Sequence, residues 1–182
     1  IDHGFMRKNE TEEVRAASIT AVHLPRGGMP ALGDNPLFLG CADYRSTIAS
    51  NAESSGFTFP EEMRRHADKG TALVTDKDPG DAEIAEVVSQ AAAHSCIVLG
   101  TYNGHILQGQ LRLAKALAAT GLPMILVALR NPYDLRNMPD HVAALAGWEY
   151  TRPLFDALWP VLNGTARPTG KLPLLTLTKA AE

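Results

Sequence analysis

Met124-Ile125-Leu126-Val127-Ala128-Leu129-Arg130-Asn131-Pro132 is the stretch that decides the fold. Its unbroken apolar run leaves no polar face. A strand made from it is therefore covered on both sides, as strands of parallel sheets are and half-exposed antiparallel ones are not. Pro132 biases Asn131 away from helix and ends the run cleanly. Just upstream, a helical pattern over 105–120 carries Leu107, Leu111, Ala114 and Leu117, and Gly121-Leu122-Pro123 closes it with glycine and then proline. A strand that follows a helix this closely is part of a βαβ unit.

The same alternation extends in both directions. Leu37-Phe38-Leu39-Gly40-Cys41 and Cys96-Ile97-Val98-Leu99-Gly100 are further buried strands, while Thr71–Thr75 and Val142–Ala146 are weaker ones, the latter open to a helical reading. Helices are expected over 59–67, from Asp81 as cap through Ile84, Val87, Val88 and Ala91, and over Thr151–Leu162 with Pro153 in its first turn. Another starts near Asn9, with Thr11 as cap, and runs into a short strand at Ile19–Leu24. Strands alternating with helices of this length predict an α/β fold: a three-layer sandwich around an open, mostly parallel, flavodoxin-like sheet.

The chain has 182 residues, 45% hydrophobic, with 17 basic and 20 acidic side chains and a net charge of -3. That size predicts a single domain over 9–182, with 1–8 as a leader or truncation remnant. The charge balance argues against nucleic acid as a partner, and no apolar run approaches the roughly 20 residues of a membrane span. Cys41 and Cys96 sit in strand-like runs and are expected as reduced core thiols. The absence of a signal-peptide pattern near the start permits, without requiring, the cytoplasm.

Chemistry is sparse. None of the six histidines forms an i, i+4 pair and no CxxC occurs, so no metal or cofactor is expected. Gly100-Thr101-Tyr102-Asn103-Gly104-His105 is the nearest approach to an anion-holding turn, and His105 stands where open α/β sheets bind ligands. Cys41 after a strand raises a Cys–His hydrolase, but Asp43 replaces the small residue that a nucleophile elbow needs. Asp43, Asp76 and Asp78 could form an acidic phosphoacceptor pocket, yet Arg130 stands where that chemistry needs a lysine, and solvated turns explain them as well.

Three motifs carry a family resemblance. The segment Ile125–Leu135, with Arg130-Asn131-Pro132-Tyr133-Asp134 after its strand, resembles the C-terminal domain of family 3 glycoside hydrolases, in the bacterial β-N-acetylhexosaminidase branch. Trp148-Glu149-Tyr150-Thr151-Arg152-Pro153 is similar to that family's Gly-Tyr-Thr-x-Pro helix start, from which Trp148 and Glu149 depart. Asn163-Gly164 and Gly170-Lys171-Leu172-Pro173 are similar to its closing segment. The resemblance spans residues 10–178, strongest over 123–175 and weakest over 33–75.

The resemblance implies an α/β sandwich docked on an N-terminal catalytic (β/α)8 barrel of the same protein, with a carbohydrate as a further candidate partner. A barrel alone takes about 250 residues, so none fits in this chain. Retaining glycosidases need two carboxyl groups about 5–5.5 Å apart, and in this branch the resemblance places them on the barrel. No catalytic residue is carried over, and Asp134 and Glu149 are read as structural. Arg130, Asn131, Tyr133, Asp134 and His105 are the residues expected to face the barrel or a ligand. Arg130 could alternatively pair with Asp134 and merely pin the turn. A stand-alone ligand-binding module using the Gly100–His105 turn remains a second reading.

Overall fold

The computed structural model describes residues 13–42 and 56–171. Helical residues 13–18 form the described part of α1. They are followed by β1 (Thr20–His23), β2 (Pro36–Cys41), α2 (Phe59–Ala67), β3 (Thr71–Thr75), α3 (Asp81–Ala91), β4 (Cys96–Thr101), α4 (Gln108–Ala118), β5 (Met124–Ala128), β6 (Val142–Ala146) and α5 (Arg152–Leu162). The strands make one six-stranded sheet in the order β1-β6-β5-β4-β2-β3. β2 to β6 are mutually parallel; β1 joins β6 antiparallel, with a register shift between Ala21 and His23. Counted from β2, the parallel strands run 2-1-3-4-5, the flavodoxin-like order, with its switch point between β2 and β4. The expected open α/β sandwich is what the chain forms.

Side-chain alternation divides two cores. Phe38, Val98, Ile125 and Val127 meet Phe59 and Met63 of α2 and Leu154, Phe155 and Leu158 of α5. Leu37, Leu39, Ile97, Leu99 and Leu126 turn the other way, toward Ile84 and Val87 of α3 and Leu113 and Leu117 of α4. Every residue of β4, β5 and β6 is buried, which explains their continuous apolar sequence. Val142–Ala146 is a strand despite its alanines, because pairing with both β5 and β1 overrides their helical preference. Cys41 and Cys96 are both buried, and burial pushes the Cys96 thiol up to about 12.

Two helix starts differ from expectation. Gly80, not Asp81, occupies the cap of α3, and Asp81 lies just inside the first turn. α4 begins at Gln108 rather than His105, because Asn103 turns into the left-handed region (φ 57) and the N–H groups of Gly104 and His105 are taken by a side chain. Thr151, expected as the first residue of α5, is its cap, accepting from the Leu154 N–H at 3.3 Å. Thr11 and Asp43 lie outside the described residues.

Candidate functional site

The loops that leave the carboxyl ends of β3, β4, β5 and β6 gather on one edge of the sheet, where open α/β folds bind their ligands. Most polar side chains there on the α3/α4 side are used to hold the loops themselves. Asp134 is 1% exposed, and its two oxygens accept the N–H groups of Gly104 at 2.9 Å and His105 at 2.7 Å. Asp78 accepts from the Gly109 N–H at 2.7 Å, and Asp76 accepts from the Asp78 N–H. Gln110, nearly buried, accepts from the Tyr102 N–H and donates to the carbonyls of Lys77 and Tyr102. Asp76 and Asp78 thus build turns rather than a phosphoacceptor pocket. Among the described residues no cluster of His, Cys, Asp or Glu could hold a metal ion.

On the α2/α5 side the same edge is aromatic. Phe57, Phe59, Tyr102, Tyr150 and Phe155 pack mostly edge to face, with ring centroids 5.1–6.0 Å apart. The Tyr150 hydroxyl donates to the Cys41 carbonyl at 3.0 Å and accepts from the Phe59 N–H at 2.8 Å. Gly100 permits this packing, since a Cβ there would lie 2.5 Å from the Phe59 ring. Cys41 is 2% exposed inside this core, which removes the geometry a Cys–His hydrolase would require.

The five candidate residues separate. Arg130 is exposed, and its guanidinium donates to the Tyr102 hydroxyl at 2.9 Å while standing 5.6 Å from that ring's centroid. It does not pair with Asp134, so the pinned-turn alternative is corrected: Asp134 is committed to Gly104 and His105 instead. Nor does Asp134 face outward as a ligand contact. Asn131 is partly buried and caps the short 3-10 turn Pro132–Leu135, accepting from the Tyr133 N–H at 3.0 Å. Tyr133 is 42% exposed and carries the Arg136 guanidinium 4.3 Å from its ring centroid. His105 is partly buried, with Nδ1 3.5 Å from Asp134.

Nothing in the sequence singles out Glu62 or its partner Arg152, although Arg152 lies within the Trp148–Pro153 segment. The nearly buried Glu62 carboxylate receives Arg65 of its own helix and Arg152 of α5. Arg152 also lies over the Phe57 ring at 4.7 Å. Burial pushes the Glu62 carboxyl up, but the hydrogen bonds and charges of Arg65 and Arg152 outweigh it and hold the group below its ordinary value of 4.5. A carboxyl that titrates lower when folded adds stability above its ordinary value, and that stability fades as pH falls through the folded value. Both arginines are more than half exposed, so screening limits the gain to about 1 kcal/mol. Glu62→Gln should remove that gain at pH 7 and flatten the acid limb below about pH 4.5, read by urea unfolding across pH. An unchanged acid limb would contradict this origin.

No family model matches the sequence, and no curated protein matches it. Solved structures do. A family 3 β-N-acetylglucosaminidase from Paenibacillus sp. str. FPU-7 superposes on 92% of this chain with a TM-score of 0.77 and 24% identity. The fold is that of a domain found in family 3 glycoside hydrolases. The β-glucosidase from Listeria innocua shares it over 94% of the chain, with a TM-score of 0.71 and 15% identity. A fungal multi-domain β-N-acetylglucosaminidase of the same family shares it over 89%, with a TM-score of 0.69 and 18% identity. The matched part is only 32%, 27% and 18% of those three chains, so most of each of these proteins lies outside what this chain resembles.

Proposed function

We propose that this chain is the accessory C-terminal α/β domain of a family 3 glycoside hydrolase, in the β-N-acetylhexosaminidase branch, and that hydrolysis belongs to a (β/α)8 barrel in the same protein. The observation that carries this reading is the superposition of nearly the whole chain on about a third of a family 3 β-N-acetylglucosaminidase. The Arg130–Asp134 and Trp148–Pro153 segments are the ones whose sequence resembles that family. The engagement of three carboxylates supports it as well: Asp134 and Glu149 near the recognisable segments, and Glu62 of α2. Asp134 holds two backbone N–H groups, Glu62 binds two arginines, and Glu149 pairs with Arg15 at 2.9 Å. Each is engaged in structure, which leaves it poorly suited to be nucleophile or acid.

In this reading the exposed Arg130 is the contact toward the barrel or its ligand. Tyr102 holds the guanidinium by one N–H, leaving the rest of its planar fork for a carboxylate or a sugar hydroxyl. In the whole enzyme, Arg130→Ala should lower activity or weaken domain docking by about tenfold. If kinetics and docking both match the unmutated enzyme, Arg130 is only a surface residue.

A further inference from the structure

We propose that the depression between α4 and the segment following β5 binds a small anion, one that bears a carboxylate or phosphate on a hydroxylated scaffold such as a sugar. The depression measures about 320 Å³, within the range of roughly 300–1,000 Å³ typical of small-ligand sites. Lys115 of α4 and Arg136 both line it, and among the described residues no carboxylate does. Asp134, the acidic residue of the adjoining turn, is turned inward onto Gly104 and His105. Among the described residues neither Lys115 nor Arg136 makes an ion pair. The Tyr133 ring orients Arg136 without neutralising it. In a chain of net charge -3, a concavity with two cations and no acid reverses the local sign, and it attracts anions.

The remaining lining suits a hydroxylated body. The Gln108 amide donates to the His105 carbonyl at 2.7 Å, so its oxygen is left to accept, and Asn137 and Tyr133 line the depression as well. His105 Nδ1 is shielded beside Asp134, while a third of the side chain is exposed and the residue lines the depression. Leu111 and Met138 complete it with apolar surface. This charge pattern belongs to the domain itself and stands whether or not a catalytic barrel accompanies it.

The test is calorimetric titration of the 182-residue chain with glucuronate, inorganic phosphate and glucose, with the His105 ring resonances followed by NMR. Saturable binding of glucuronate or phosphate, but not of glucose, with shifted His105 resonances, is expected. The preferred anion tells carboxylate from phosphate. Lys115→Gln with Arg136→Gln should weaken that anion by about tenfold or more, and because both side chains are exposed the thermal melt should not change. Arg136→Gln alone should give part of the loss. No saturable binding of either anion, glucose binding as tightly as glucuronate, or unchanged affinity in the variants would overturn the proposal.

Discussion

Asp134→Ala lowers the stability of the domain by about 3 kcal/mol, because two N–H groups lose a charged acceptor and each unsatisfied one costs roughly 1–3 kcal/mol. For a chain of this length that is a fall in Tm of about 6–12 °C. The carboxylate is 1% exposed and bridges the segment after β5 to the turn after β4, so water has little access to replace it. Amide exchange should accelerate first at Gly104 and His105. Asp134→Asn keeps one oxygen acceptor and should lose about half as much. A melt within about 1 °C of the unmutated chain would mean that these bonds are not what holds the loop.

Phe155→Ala should be the more damaging change, at about 3–5 kcal/mol. The ring is fully buried and meets Phe57, Phe59 and Tyr150 at once, with centroids 5.8, 5.4 and 5.1 Å away. Its removal opens a cavity where α5 and α2 meet above the sheet, and neighbours pinned by the Tyr150 hydroxyl bonds cannot collapse into it. Phe155→Leu keeps most of the volume and should cost about half. Urea midpoints with an unchanged slope measure both losses. A loss below about 1 kcal/mol for the alanine variant would show the aromatic cluster to be peripheral.

The fold was legible because its signals are local and agree with one another. Continuous apolar runs such as Ile97–Leu99 and Met124–Leu129 can be buried on both sides only in a covered sheet, and Thr151 and Pro153 mark the start of α5 in sequence alone. The errors came where a distant side chain decides a local outcome. Nothing near His105 reveals that Asp134, 29 positions later, takes its N–H and delays α4 to Gln108. Trp148 adopts φ 72, which a bulky residue seldom does, and its indole donates to the Ser18 carbonyl 130 positions away.

The site was half legible for the same reason. The sequence brings Arg130, Asn131, Tyr133 and Asp134 together as one turn, but it does not say which point inward. Asp134 and Asn131 serve the backbone, while Arg130 and Tyr133 remain at the surface. The partner of Arg130 is Tyr102, on a neighbouring strand end, and strand order is what brings them together. The Glu62–Arg152 pair joins two helices 90 residues apart, which spacing alone does not signal.

The most direct measurement is hydrolysis of an aryl β-N-acetylglucosaminide by the purified 182-residue chain, beside the longer protein that the proposal requires. If this is an accessory domain, the whole protein turns the substrate over and the chain alone shows no rate above buffer. Turnover by the purified chain that disappears on changing Asp134→Asn or Glu149→Gln would place the chemistry in this domain and contradict that assignment.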